Sequence, residues 1–333
     1  MTWLLPAIQA IIILVALLIL PIGLTWLERR LLAGFQDRYG PNRVGPFGIL
    51  QPMADGAKLL LKEDWVPPFA DRAVFIIAPA IVMVTVLLTF GVLPFAPGIR
   101  ITDLNVGLLF FLGMASLGVY SIVLAGWASN NKYSLIGGMR AVAQMISYEI
   151  PMGLSLVGVV MLAGSFRLGD IVEAQRSLWF CVTQPLGLLI FLTATLAEAR
   201  RIPFDLPEAD SELVQGYHTE YSSMKFGLFL VGEYLDIVLV GGIATALFLG
   251  GWHGPPLPLL GRSSFTPSAV EGLLPPLLWF ALKAGAVIFL FMWMRSVLPR
   301  FRFDQLMDFG WKVLLPLSLL NLLVTGFVAL VIR

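Results

Sequence analysis

The chain has 333 residues, of which 58% are hydrophobic and only 13% charged, and its formal net charge is +1. Soluble globular proteins carry roughly 25% charged residues, so this composition excludes that class and indicates a membrane protein. The small net charge gives no indication of a nucleic-acid partner, and none is expected.

The apolar segments predict a bundle of helices that crosses a membrane. A hydrocarbon core of about 30 Å needs roughly 20 apolar residues per helix. No charged residue occurs from Met1 to Leu27, which is the first predicted span. Further windows of near-spanning length lie at 73–96, 106–129, 141–164, 178–197, 226–250, 273–294 and 311–332. We therefore predict an all-α polytopic membrane protein of about eight transmembrane helices, which forms a single membrane domain over 1–333.

Lysine and arginine are distributed unequally between the two ends of this predicted bundle. If the helices alternate in direction, 16 of these residues fall on one face and five on the other. Loops rich in Lys and Arg remain in the cytoplasm. The long first and fifth loops are therefore predicted to be cytoplasmic, with the chain in the inner (plasma) membrane and both termini on the opposite side.

The first long loop, 28–72, combines basic residues with a Gly- and Pro-rich frame. Six Gly and Pro residues between Gly40 and Pro52 prevent a continuous helix there. The following MADGAKLLLKE predicts a short amphipathic helix along the membrane interface. Basic side chains such as Arg38 alternate with the acids Asp37 and Asp55, which favours a folded docking surface. The alternative is that the basic residues only anchor the loop to anionic lipid.

The second long loop, 198–225, is rich in acids. Six carboxylates crowd it: Glu198, Asp205, Glu208, Asp210, Glu212 and Glu220. Mutual repulsion is expected to raise the pKa values of some of them, with Arg200 and Arg201 offsetting part of the repulsion. Such a patch at the mouth of a membrane bundle indicates a proton collector or relay. The alternative is an ordinary solvated loop.

Several charged residues fall inside the predicted spans. Glu149 lies in the fourth span, Glu233 and Asp236 share one face of the sixth, and Lys283 lies near the middle of the seventh. A charge at that depth costs at least about 2.5–3.5 kcal/mol, so each should face a partner or a wet cavity. We predict a chain of acids that leads from the cytoplasmic loops into the membrane. The alternative is a buried acid–base pair that only holds helices together.

Other motifs are informative by their absence. The single cysteine, Cys181, excludes an intramolecular disulfide, a thiolate zinc site and an iron–sulfur cluster held by this chain alone. The two histidines, His218 and His253, are predicted on opposite faces and so cannot share a haem. No Walker loop, H-E-x-x-H helix or G-x-S-x-G elbow occurs. No metal ligand set and no redox centre is therefore predicted within the chain.

Two long segments resemble those of a known family. They read WLERRLLAGFQDRYGPNRVGPFGILQPMADGAKLLLKED and EARRIPFDLPEADSELVQGYHTEYSSMKFGLF. Both are similar to the signature loops of the H-type subunits of bacterial NADH-quinone oxidoreductase, the respiratory complex I, whose mitochondrial counterpart is NADH dehydrogenase subunit 1. SYEIPMG and LPRFRFDQLMDFGWKVLLPL also resemble the family pattern. The likeness extends over nearly the whole chain.

The resemblance implies an eight-helix membrane subunit of a proton-translocating enzyme, placed at the junction with the peripheral arm. It implies that quinone is the substrate, that the chain forms most of its access tunnel, and that the chain begins an acidic proton path. FMN and iron–sulfur clusters would reside in partner subunits. The implied partners are the peripheral-arm subunits of the quinone site, the small membrane-arm subunits, quinone and membrane lipid.

Residue roles follow from the same resemblance, motif by motif. The tunnel residues would be Glu28, Arg29, Arg38, Asp55 and Lys58. The acidic path would comprise Tyr148, Glu149, Glu198, Asp205, Glu208, Asp210, Glu212, Glu233 and Asp236. Arg200 and Arg201 would pair within the acidic loop or with docked subunits. Lys283 and Arg295 are also expected to be pairing residues, but from their positions in the sequence and not from the resemblance.

Two other classes of function remain alternatives. A membrane subunit of an energy-converting hydrogenase shares this ancestry but handles no quinone, and the complete Arg/Pro/Gly-rich first loop favours the quinone enzyme. A stand-alone secondary transporter would also carry intramembrane charges. Two matching sequence halves with broken helices would favour the transporter, and no such repeat is evident.

Overall fold

A computed structural model describes residues 4–208, 210–254 and 275–332, and within these ranges its regular structure is helical. The helices are Leu4–Phe35 (α1), Gln51–Leu61 (α2), Arg72–Phe90 (α3), Gly107–Ala128 (α4), Lys132–Ala163 (α5), Leu168–Ala174 (α6), Phe180–Thr183 (α7), Pro185–Glu198 (α8), Asp210–Leu213 (α9), Ser223–Phe248 (α10), Pro276–Val297 (α11), Phe303–Asp308 (α12) and Leu315–Ile332 (α13). A π-helical segment, Phe309–Leu314, joins α12 to α13. Seven segments of the described chain are long and apolar enough to span a membrane, which confirms the all-α polytopic class.

The fifth predicted window, 178–197, does not form one continuous span. It divides into α7 and the 14-residue α8, which meet at Gln184 and Pro185. Gln184 leaves the helical region with φ −132° and ψ 55°, and Pro185 has no N–H to continue a helix from α7. At about 1.5 Å per residue, α8 is about 21 Å long, which is shorter than the hydrocarbon core.

The short helix predicted after Pro52 is present as α2, and it packs against the ends of α1 and α10. Asp55 of α2 accepts a hydrogen bond from Arg29 of α1 at 2.6 Å. The Ser223 hydroxyl, at the start of α10, donates to the carbonyl of Leu59 at 2.9 Å. Leu61 remains 88% exposed, as expected of an interfacial helix with one apolar edge turned away from the bundle.

The loops predicted to share a face do meet at one end of the bundle, here called the mouth end. Three ion pairs connect them: Arg300 with Asp205 at 2.7 Å, Arg140 with Glu212 at 2.5 Å, and Lys225 with Asp64 at 2.7 Å. At the opposite end, here called the outer end, Asp103 pairs with both Arg100 and Arg167. The alternation of helix directions is thus as predicted.

Lys283 lies closer to the outer end than predicted, and its partners are carbonyls. Its ammonium donates to the backbone oxygens of Leu249, Gly251 and His253 at 2.6, 2.8 and 2.5 Å. These bonds use all three donors of the ammonium, and the charge opposes the negative end of the α10 dipole. These contacts close the end of α10 with a lysine whose described partners are backbone carbonyls.

Candidate functional site

Two cavities lie next to the charged residues of the mouth end. The first, the mouth cavity, has a volume of about 300 Å³ and adjoins a smaller space of about 160 Å³ with which it shares Asp205, Glu208 and Glu233. Its remaining polar lining comes from Glu28, Arg29, Arg200, Arg201, Tyr234 and Arg295. The second, the inner cavity, has a volume of about 50 Å³ and lies between α3, α4, α5 and α10. Glu198, Arg200 and Asp236 supply the charged groups of its lining.

A group of four charges, three of them largely buried, forms one wall of the mouth cavity. The Glu28 carboxylate accepts hydrogen bonds from Arg201, at 2.8 Å, and from Arg295. The Nε of Arg201 lies 2.6 Å from the Glu233 carboxylate, and its guanidinium is 4.7 Å from the Tyr234 ring centre. Glu28, Arg201 and Glu233 are largely shielded from water, whereas Arg295 is 36% exposed. The two acids and two arginines neutralise one another, which is the arrangement in which buried charges are tolerated.

The described partners of Arg201 lie outside the acidic loop, whereas the resemblance implied pairing within that loop or with docked subunits. Its partners lie on α1 and α10, so the loop between α8 and α10 is fastened across the bundle. Asp205, from the same loop, pairs with Arg300. Burial and repulsion from Glu208 raise the pKa of Asp205 to about 6, although Arg300 acts in the opposite direction.

The neighbouring Arg200 turns to a different set of partners. Its guanidinium donates to the Tyr217 hydroxyl and lies 4.0 Å from the carboxylate of Asp236. Tyr217 in turn donates to Glu208 at 2.9 Å. Arg200 has a left-handed backbone with φ 54°, which costs free energy in a residue that is not glycine. With this backbone conformation, the side chains of Arg200 and Arg201 point in different directions, and each contacts a different group of acids.

Two carboxylates, Glu198 and Asp236, line the inner cavity where α8 ends, and a third, Glu149, lies near Glu198. Glu198 lies within electrostatic range of both Asp236 and Glu149, and Glu149 accepts a hydrogen bond from Ser116 of α4. A single water needs about 10–15 Å³ of such space, so the inner cavity can hold a few waters between these groups.

Close packing holds the acidic loop against α5. A Cβ on Gly137 of α5 would lie 2.7 Å from the Cα of Gly216, and Gly216 itself has a left-handed backbone with φ 57°. A Cβ on Gly216 would overlap the carbonyl oxygen of Pro207. Only glycine allows this approach, and it places the following Tyr217 beside Arg200. Gln144 adds hydrogen bonds to the carbonyls of Ala197 and Phe204 at 2.7 and 2.8 Å.

The residues assigned to a tunnel mouth are only partly brought together. Glu28 and Arg29 line the mouth cavity, and Asp55 is held beside Arg29. Burial alone would raise the pKa of Asp55, but hydrogen bonds from Arg29 and Gln51 lower it below its usual range. Arg38 and Lys58 are exposed and line none of these cavities.

The remaining residues assigned to the acidic path are more scattered. The hydroxyl of Tyr148 is buried and donates to the backbone carbonyl of Leu306 at 2.9 Å, so it ties α5 to α12. Glu212 is exposed and pairs with Arg140. The side chain of Asp210 lies outside the part of the chain that the structure describes.

Sequence reasoning missed three residues that the geometry places in the site: Tyr217, Ser116 and Gln144. Tyr217 lies within the acidic loop, but its hydroxyl is neutral and its sequence position gives no sign of its charged partners. Ser116 and Gln144 lie in apolar spans, where a single polar residue carries no sign of its partner. His218 borders the smaller space beside the mouth cavity. Burial and the nearby Arg200 lower its pKa to about 3, so it is neutral at physiological pH.

Comparison with known proteins gives a consistent result over nearly the full chain. The family model described as NADH dehydrogenase matches residues 8–326. The chain is 56% identical to H-type subunit 2 of the NADH-quinone oxidoreductase of Geobacter sulfurreducens over 314 residues, which cover 92% of this chain and 90% of the relative. It is 56% identical to the H-type subunit of the same enzyme in Methylococcus capsulatus, with 96% of each chain covered. It is 52% identical to H-type subunit 2 of Rhodopseudomonas palustris, with 96% and 95% covered.

Proposed function

The chain belongs to the NADH dehydrogenase family, and we propose that it is the H-type membrane subunit of a proton-translocating NADH:quinone oxidoreductase. The observation that carries the proposal is a mouth cavity lined by charges that shares Arg200 with an inner cavity lined by Glu198 and Asp236. In this assignment the mouth end faces the cytoplasm, both termini lie on the other side, and FMN and iron–sulfur clusters belong to partner subunits. The partners are peripheral-arm subunits at the mouth end and small membrane-arm subunits along the helices.

Quinone enters, in this proposal, past the loop 28–72 and reaches the mouth cavity. A volume of about 300 Å³ is at the lower end of the range for small-molecule sites, which fits a head group whose site is completed by peripheral subunits. Leu32, Ile202 and Leu230 give the cavity apolar surface beside its charges. Glu28, Arg29 and Asp55 stabilise this entrance, and Arg38 and Lys58 face the docked subunits or lipid.

Protons follow, in this proposal, a route from the acidic loop 198–225 into the bundle. Asp205, Glu208 and Glu233 border the mouth cavity. Glu198 and Asp236 line the inner one, and Glu149 lies within electrostatic range of Glu198. Reduction of quinone near the mouth end changes the local charge, and charge changes shift the protonation of nearby carboxylates. The acids thereby couple quinone reduction to proton movement.

Neutral amides at one acid of the mouth cavity and at the acid next to Glu198 test this proposal. Glu208→Gln and Glu149→Gln, each in the assembled enzyme, are expected to lower both NADH:quinone reductase activity and proton pumping into vesicles. Glu173→Gln is a suitable control, because Glu173 is exposed at the outer end, away from both cavities. Full activity and full pumping in both test variants would contradict the acidic route.

The identity of the assembly is tested separately by gentle purification. Co-purification with flavin and iron–sulfur proteins that reduce quinone with NADH is the expected outcome. Nickel-iron subunits in the preparation would select the hydrogenase alternative. A chain that purifies alone and transports a solute would select the secondary transporter.

A further inference from the structure

A single chain of side-chain contacts connects the two cavities. Glu208 borders the mouth cavity and accepts a hydrogen bond from Tyr217 at 2.9 Å. The Tyr217 hydroxyl accepts from Arg200, whose other terminal nitrogen is 4.0 Å from Asp236 of the inner cavity. Arg200 lines both cavities, and is therefore part of the wall that separates them.

Both central members of this connection are shielded from solvent. Tyr217 is 1% and Arg200 3% exposed, and the guanidinium carbon is 5.5 Å from the centre of the tyrosine ring. The Nε of Arg200 is buried and has no hydrogen-bond partner among the described residues. The guanidinium therefore has an unused N–H donor. It also lies between two carboxylates, Glu208 and Asp236, either of which it can approach.

The hydroxyl of Tyr217 limits where that guanidinium can go. Burial raises the pKa of Tyr217 well above its usual value, with the positive Arg200 acting in the opposite direction, so the tyrosine keeps its own proton. A neutral hydroxyl that accepts from the arginine and donates to Glu208 fixes both groups at once. The ring itself packs edge-on against Phe229, so ring and hydroxyl have separable roles.

We propose that Tyr217 is a positioning residue that holds Arg200 between Glu208 and Asp236, so that a change of charge on one carboxylate is transmitted to the other. The physical basis is the shared cation. When Glu208 becomes neutral, its attraction for Arg200 is lost, so the attraction of Asp236 for the guanidinium is no longer opposed. The reverse holds when Asp236 becomes neutral. This inference rests on the proposed function, since it assigns the step by which the mouth cavity communicates with the inner one.

Removal of one oxygen atom tests the proposal with little disturbance of packing. Tyr217→Phe keeps the ring, whereas Tyr221→Phe removes a second buried tyrosine hydroxyl, which donates only to the backbone carbonyl of Phe75 at 3.2 Å. In the assembled enzyme, Tyr217→Phe should lower the kcat of quinone reduction about tenfold, the effect in rate of losing one hydrogen bond to a charged group. The KM for quinone and the yield of assembled complex should stay unchanged, and Tyr221→Phe should match the wild type.

A double variant then tests whether Tyr217 acts through Glu208 or independently of it. If Tyr217 acts through its contact with Glu208, adding Tyr217→Phe to Glu208→Gln should cause no further loss of kcat. Multiplicative losses would overturn the proposal. It would equally be overturned if Tyr217→Phe behaved like Tyr221→Phe, or if its loss of activity only paralleled a lower yield of complex. A wild-type complex without NADH:quinone activity would instead refute the proposed function itself.

Discussion

The carboxylate of Glu28 and the guanidinium of Arg201 meet at 2.8 Å although 173 positions separate them in the chain. Both side chains are buried, with 2% and 7% of their surface exposed. The contact joins α1 to the loop that follows α8, and Arg295 of α11 binds the same carboxylate oxygen. One acid therefore fixes two arginines that come from distant parts of the sequence.

Replacement of Glu28 by glutamine should destabilise the protein strongly. The variant leaves Arg201 buried with Glu233 as its remaining carboxylate partner, and removal of one partner of a buried ion pair costs about 3–5 kcal/mol. We expect a large fall in the yield of assembled complex and in its temperature of half-inactivation. Asp304→Asn is the control, because the Arg302–Asp304 pair is 74% and 66% exposed and exposed pairs contribute little. Equal stability of the two variants would contradict the role given to Glu28.

Alanine at position 216 should prevent the acidic loop from docking on α5. The added Cβ would overlap the carbonyl oxygen of Pro207, and alanine disfavours the left-handed backbone found there. We expect loss of quinone reductase activity together with increased protease sensitivity between α8 and α10. Gly153→Ala is a matched control, because a Cβ on Gly153 meets nothing within 4 Å. Normal activity in Gly216→Ala would show that the loop can reach the site by another path.

The carboxyl group of Asp205 should make stability depend on pH in a defined direction. Burial and Glu208 raise its pKa from 3.8 to about 6 in the folded chain. The folded state thus binds this proton more tightly than the unfolded state, so the contribution is fully present below about pH 4 and is lost as the pH rises through about 6. The temperature of half-inactivation of Asp205→Asn, relative to wild type, should therefore increase between about pH 4 and pH 7. At about 1.4 kcal/mol per pKa unit, the change is at most about 3 kcal/mol.

Near pH 4 Asp205 is protonated in the wild type, so its ion pair with Arg300 is present only at the higher pH, and the effect of Arg300 is already included in the pKa of about 6. Asp304→Asn, with its exposed carboxylate, should show no such change. A relative stability of Asp205→Asn that falls with rising pH would contradict the raised pKa.

The amide of Gln184 should hold the last helix in place. It donates to Thr325 at 2.7 Å and accepts from Asn321 at 3.3 Å, both on α13. Hydrogen bonds between membrane helices contribute about 0.6 kcal/mol on average and at most about 1.7, so Gln184→Ala should cost about 1–3 kcal/mol in thermal stability. Thr193→Ala is the control, since the Thr193 hydroxyl bonds only to carbonyls of its own helix. A stability loss no greater than that control would refute the anchoring role.

The extent of the long helices was predictable from sequence because it depends on local composition. Windows such as 106–129 and 226–250 agree closely with Gly107–Ala128 and Ser223–Phe248. The break at Gln184 was not evident from hydropathy, although the Gln-Pro pair marks a boundary. The amide there is stabilised by Asn321 and Thr325, and no local pattern reveals partners more than 130 residues away.

The positions of the charged residues in the site were likewise predictable from sequence, whereas their partners were not. Acids crowded between two apolar spans mark the mouth end, but the partner of each depends on how the helices pack. Lys283 shows the difference clearly: its burial was predicted from its position, whereas its three carbonyl partners arise from the way α10 ends. Tyr217 is neutral, so its place between two charges appears only in three dimensions.

The depth of the inner cavity has an electrical consequence. Glu149 lies 14 residues before the end of α5, and Asp236 lies 12 residues before the end of α10. At about 1.5 Å per residue, roughly 20 Å of helix separates these acids from the outer end. If the mouth cavity is hydrated, the transmembrane voltage falls over that distance instead of the about 30 Å of a whole hydrocarbon core. Moving a proton from the cytoplasm to Glu198 then requires almost no electrical work. Nearly all of the electrical energy of crossing the membrane, about 2.3 kcal/mol per 100 mV, is needed in the steps that follow.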